Sequence, residues 1–245
     1  MFRHKGKNRT FIHNLRLATL LSFVAGIVNI TGVLSFKTLT TNVTGHFAFF
    51  AEEVMRKDFA AAITFLVFTL FFLLGAFIAN FISEFVAKTN PNLSHIFPIS
   101  LEILILLFVA FFGTSSNLIS FEGKSWSFAM LFAMGIQNSL VTKISQSTVR
   151  TTHLTGLFTD LGIELSQLFF YKKPEENKKL KTNIYLRISI IGFFFIGCVL
   201  GGFAFSLLEL KTLFIACFFL LIALLYDSIR LHYHLLKRRK NHSKD

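Results

Sequence analysis

Apolar residues in this chain arrive in long blocks parted by short polar phrases. The blocks are Leu15–Phe36, Phe59–Phe85, Ile96–Phe112, Trp126–Val141, Ile184–Leu208 and Leu213–Tyr226. A helix needs about 17–25 mostly apolar residues to cross about 30 Å of hydrocarbon. Each block is near or above that length, although Trp126–Val141 and Leu213–Tyr226 must borrow flanking polar residues. The pattern predicts an all-α, polytopic helical membrane protein with six clear transmembrane helices.

The polar phrases repeat. "TTNVTGHF" at Thr40–Phe47 returns as "TTHLTGLF" at Thr151–Phe158. With Gly45 set on Gly156, Asn42 falls on His153, Thr44 on Thr155 and Glu53 on Glu164. Upstream, "GIVN" (Gly26–Asn29) resembles "GIQN" (Gly135–Asn138); downstream, "FLLGAFIA" (Phe72–Ala79) resembles "FFIGCVLG" (Phe194–Gly201). Three anchors in one order point to an internally duplicated membrane domain of eight segments: six long helices plus two short TG-led helices. Repeat 1 covers 15–113 and repeat 2 covers 126–231, between basic tails at 1–14 and 232–245. If both short helices cross, there are eight spans and the halves are parallel. If both are re-entrant, there are six spans and the halves are inverted, as in many transporters. Lysine and arginine divide equally well between the two sides either way. The basic turns that close both TG segments, Arg56–Lys57 and Lys172–Lys173, lean towards the parallel arrangement.

Composition agrees with the blocks. Of 245 residues 53% are hydrophobic, 33 are Phe, and the mean hydropathy is +0.61; soluble globular chains run about 45–50% apolar. The net charge of +12 does not call for nucleic acid, because the basic residues gather at block ends, in the loop 171–183 and in the two tails. That is the positive-inside pattern, and it places both termini and that loop in the cytoplasm. The first block is too long for a signal peptide and no clear cleavage site follows it. Cys198 and Cys217 lie in apolar runs and read as packing residues.

Candidate chemistry follows from the solvent. In hydrocarbon, non-helical backbone survives only where protein or water lines it. Threonines beside a helix start can cap its free N–H groups, glycine admits a close neighbour, and the helix start carries partial positive charge. The residues expected to line a shared polar site are Asn29, Asn42, Thr44, Gly45, Gln137, Asn138, Thr152, His153, Thr155 and Gly156. Ionisable groups within spans are expensive and functional by default, which makes Asp160, Glu164 and His46 candidates for proton or cation coupling. Helix starts favour an anion or a polar neutral solute and the carboxylates favour a cation, so the charge of the solute stays open. The competing reading treats the TG phrases as packing seams. Glu52 and Glu53 read as interfacial partners of Arg56 and Lys57, and Glu84, Asn80 and Glu102 as headgroup-level residues. Motifs for hydrolysis, phosphate binding or metal ligation are not found, so the expectation is no enzyme, no metal and no cofactor.

"AGIVNITG" at Ala25–Gly32, "TTNVTGHF", "AMGIQNS" at Ala133–Ser139 and "RTTHLTGLFTDLG" at Arg150–Gly162 together resemble the YoaK family of bacterial membrane proteins, known as domain of unknown function 1275. The family commonly has Asp at the position of Asn29 and Asn at that of His46. The resemblance implies a multi-pass protein of the bacterial inner membrane and no particular substrate. The expected function is a small-solute transporter or channel with a polar site between the repeats. The alternative is a non-transporting membrane scaffold or sensor. Expected partners are membrane lipids and a small solute, without nucleic acid; a homo-oligomer is compatible with the pattern.

Overall fold

The computed structural model describes residues 10–114, 121–171 and 173–226, and among them every regular element is helical. In chain order these are α1 (Phe11–Phe36), α2 (Val43–Met55), α3 (Phe59–Thr89), α4 (Ile96–Phe112), α5 (Phe121–Ile144), α6 (Leu154–Gln167) and α7 (Pro174–Leu208). A 3₁₀ turn at Glu209–Thr212 leads into α8 at 213–226. Residues 1–9 of the expected N-terminal tail, the whole C-terminal tail and residues 227–231 of repeat 2 lie outside the described residues, and α1 begins within the expected N-terminal tail, at Phe11.

Local chemistry sets several boundaries. Lys37, in the left-handed region at φ 53°, ends α1. The Asp58 carboxylate caps α3 by accepting the Ala61 N–H at 3.0 Å, and Pro174 opens α7 where its missing N–H costs nothing. Within the long helices, hydroxyls are satisfied locally: Thr31 donates to the Ile27 carbonyl at 2.8 Å and Thr64 to that of Ala60 at 3.0 Å. Such back-bonding lets threonine sit in an apolar helix without a partner elsewhere.

Paired contacts fix the helix directions. Phe11 meets Tyr185, Phe23 meets Gly197, and Ile27 meets Gly201, so α1 and α7 run parallel. Phe68 meets Phe128, Phe72 meets Gly135, and Glu84 pairs with Lys143 at 2.9 Å, so α3 and α5 also run parallel. Between these pairs the sense reverses: the Gln137 side chain donates to the Leu21 carbonyl at 3.1 Å, whereas Gly32 lies against Met130. Helices α1 and α5 are therefore antiparallel. Helix α8 turns back along α1, with Phe219 on Phe23 and the Tyr226 hydroxyl accepting from Arg16 at 2.8 Å. It packs against α4 through Cys217 and Ile103 and through Phe214 and Phe111.

The contacts come in matching pairs. A Cβ at Gly26 would run into the Phe194 carbonyl and one at Gly197 into that of Phe23, while Gly75 and Gly135 stand in the same relation to Phe132 and Phe72. Both seams thus bring backbone against backbone, which only a residue without Cβ permits.

Three helical stretches are long and apolar enough to cross a membrane: Phe11–Phe36, Phe59–Thr89 and Pro174–Tyr226, the last interrupted by the 3₁₀ turn. Helix α4 is apolar but has only 17 residues. Helix α5 falls outside the set for a different reason. It lies at the centre with Met130, Met134 and Ile136 fully buried, so it does not need a lipid-soluble surface. Burial follows the same layering, at 61% of the apolar window in α1 against 28% in α3. Around the rim Leu73, Phe77, Phe81, Phe195, Phe203 and Leu207 stand exposed. An apolar face of that extent is compatible with a lipid surround and unusual for a water-soluble monomer.

Candidate functional site

The site is built from the two places where the chain folds back on a central helix. After Lys37 the backbone doubles back along α1, with the Thr38 N–H donating to the Gly32 carbonyl at 3.2 Å and the Thr38 hydroxyl bonded to that of Ser127 at 3.1 Å. Gly32 makes room, since a Cβ there would strike Thr40 and the Thr38 carbonyl. Thr41 then donates to the Asn29 side-chain oxygen at 3.0 Å, about two helical turns back from the end of α1. The second half repeats the bond: Thr152 donates to the Asn138 side-chain oxygen at 2.8 Å, about two turns back from the end of α5. Both short helices therefore begin about two turns in from the end of a central helix rather than beyond it.

The caps differ from the expected threonine caps. Asn42 caps α2 by accepting the Gly45 N–H at 3.1 Å, and His153, at the start of α6, makes no side-chain cap bond. Its imidazole lies over Gly156, where a Cβ would collide with the ring. The threonines instead tie each loop to its central helix.

A cavity of about 520 Å³ opens between the two helix starts. Asn29, Asn42 and Thr44 line it from the first half, and Asn138, Thr152, His153 and Thr155 from the second. A second cavity of about 370 Å³ adjoins it, shares Arg150 and His153 with it, and reaches Gly156, Asp160 and Arg187. Seven of the ten expected lining residues thus meet in one space and Gly156 faces the next.

The other expected residues are placed elsewhere. Gln137, 1% exposed, bonds across to α1 as described above. Gly45 lies against the side chains of Asn42 and Leu39. His46 is buried at 1%; its Nε2 donates to the Leu39 carbonyl at 2.8 Å and its ring packs on Phe65 and Phe68. Asp160 and Glu164 share one cation. Arg187 reaches Asp160 at 2.9 Å and grips Glu164 through two bonds of 2.7 and 3.0 Å, a fork that suits guanidinium and carboxylate. Glu52 and Glu53 pair with Arg56 at 2.6 and 3.6 Å, as expected. Glu102, expected to be wetted at headgroup level, is instead enclosed by protein within α4, 1% exposed, and among the described residues neither carboxyl oxygen has a hydrogen-bond partner.

Sequence reasoning passed over Thr41 and Arg150. The alignment that pairs Gly45 with Gly156 also pairs Thr41 with Thr152, so Thr41 was within reach. It pairs Leu39 with Arg150, and both line the central cavity; nothing in the phrase itself marks that charge.

No curated protein and no solved structure matches the chain. The family model described as protein of unknown function, DUF1275, matches residues 17–226, and the chain belongs to that family.

Proposed function

We propose that this protein is a small-solute transporter or channel of the cytoplasmic membrane, with its polar site between two inverted halves of a duplicated unit. In this reading α1, α3, α4, α5, α7 and α8 cross the bilayer. Helices α2 and α6, of 13 and 14 residues and so only about 20 Å long, enter from opposite sides and stop at mid-depth. The antiparallel sense of α1 and α5 favours this inverted arrangement over the parallel one. It also brings residue 10, the first turns of α7 (helical from Pro174, where the sequence suggests a loop through 183) and residue 226 to one end of the bundle, which the positive-inside rule assigns to the cytoplasm.

The observation that carries the reading is the convergence of two helix starts, one from each half, on one cavity. A lined cavity is where broken helices are tolerated within a bilayer, and in transporters of this construction it is the binding site. Packing offers the scaffold alternative less support at these phrases. Gly45 and Gly156 face their own cap residues, whereas the backbone-to-backbone seams lie at Gly26, Gly75, Gly135 and Gly197. The described site offers positions for binding rather than a nucleophile–base pair, so we read no enzyme activity into it.

The test is solvent access. In a background lacking Cys198 and Cys217, Thr44→Cys and Thr155→Cys react with a small water-soluble thiol reagent in the folded, membrane-embedded protein. Cysteines at both positions that stay unreactive until the protein is denatured reject a wet pathway and leave the scaffold.

A further inference from the structure

The chemistry of the cavity wall decides the sign of the solute. Every amide oxygen in the wall is already committed: Asn29 and Asn138 accept from Thr41 and Thr152, and Asn42 accepts from the Gly45 N–H. Each of the three amides keeps its NH₂, a donor group, and among the described residues the buried Asn138 nitrogen has no partner. Val43, Thr44, Leu154 and Thr155, also in the wall, belong to the first turns of α2 and α6, whose leading N–H groups have no acceptor within the helix. Two helix dipoles thus point their positive ends at the same space.

Arg150 adds a full charge to that wall, and among the described residues no salt bridge is found for it. The carboxylates that would have argued for a cation are turned away. Glu164 lies outside both cavities and, with Asp160, is held by Arg187; Asp160 reaches only the adjoining cavity, and among the described residues no carboxylate lines the central one.

We propose that the central cavity selects a small anion, a carboxylate or an oxyanion, held by Arg150 and by the donor groups of the two helix starts. This assignment rests on the transporter reading for the cavity's being wet. A positive field in a low-dielectric cleft raises the local concentration of anions and depresses that of cations.

Thr155→Cys, in the full-length protein without Cys198 and Cys217, is treated separately with an anionic methanethiosulfonate reagent and its cationic counterpart. Each rate is divided by that reagent's rate with a free thiol. The expected result is a normalised rate higher for the anionic reagent by on the order of tenfold. That preference falls severalfold when Arg150→Gln is added and is largely kept with Arg150→Lys. Equal normalised rates, a faster cationic reagent, or a preference unchanged by Arg150→Gln overturns the assignment. Failure of both reagents to react overturns the wet cavity itself, so the two readings fail in distinguishable ways. If Arg150→Gln does not fold, Thr44→Cys, on the opposite helix start, repeats the comparison of the two reagents, and equal normalised rates or a faster cationic reagent there overturn the assignment.

Discussion

At Gly135 there is no room for a methyl group: it would meet the Phe72 carbonyl on α3, and Gly75 faces Phe132 on α5 in the same way. Gly162, on an exposed part of α6, has nothing within 4 Å of its would-be Cβ. Gly135→Ala should therefore cost about 1–3 kcal/mol through forced separation of α3 and α5, while Gly162→Ala should be neutral or stabilising by up to about 1 kcal/mol through helix propensity. Thermal unfolding in detergent compares them, and an equal loss at both sites contradicts the seam. Charge obeys the same residue-scale accounting. Arg187 is the cation that permits Glu164, whose side chain is 10% exposed, to remain inside. Arg187→Ala strands that carboxylate and should destabilise by about 3–5 kcal/mol. The joint change Arg187→Gln with Glu164→Gln should recover most of the loss, and no recovery would mean that the fork is not what holds the pair.

At the scale of elements, α2 and α6 are too short to be stabilised by propensity alone and depend on how they start. Asn42 supplies the α2 cap, so Asn42→Ala should weaken that helix start by about 1 kcal/mol while Asn42→Asp keeps it. Hydrogen exchange at Val43–His46 reads the effect: faster exchange in the alanine variant and near-native exchange in the aspartate variant. Faster exchange in both would show that the α2 start depends on something other than this cap. Helix α6 has no equivalent side-chain cap bond, since His153 covers Gly156 instead. The repeated phrase thus preserves the position of a helix start while the group beside it differs.

At the scale of the molecule, helix direction carries a prediction about topology. The turn at Arg56–Lys57 and Lys88 stand at the two ends of α3 and so belong on opposite sides of the membrane, and the opposite senses of α1 and α3 put the turn outside. Lys57→Cys should react with an impermeant maleimide added outside intact cells, and Lys88→Cys only after permeabilisation. The parallel, eight-span arrangement exchanges the two results, with both termini still in the cytoplasm. The basic turns lean that way, but charge at a turn reports which residues are wet and not which face of the bilayer wets them. Lysine and arginine divide equally under both topologies, so the preference rests on contacts across helices: Gln137–Leu21 and Gly32–Met130 between α1 and α5, and Cys217–Ile103 and Phe214–Phe111 between α4 and α8.

The sequence alone determined the helical, lipid-compatible character of the chain and the positions of the two helix starts. Long apolar blocks and a Thr-Gly phrase impose those locally, whatever the chain does elsewhere. It also marked most of the polar side chains in the wall, since Asn29, Asn42, Thr152 and Thr155 stand out as polar residues where hydrocarbon is expected. Tertiary structure decided the rest. A one-dimensional pattern does not encode helix direction, so the antiparallel sense of α1 and α5 emerged only from side chains meeting across them. Nor does a pattern show whom a charge faces: Asp160 and Glu164 looked like free carboxylates until Arg187, 23 residues beyond Glu164 along the chain, closed on them. Arg150 looked like one more basic residue until the fold left it in the cavity wall with no salt bridge among the described residues.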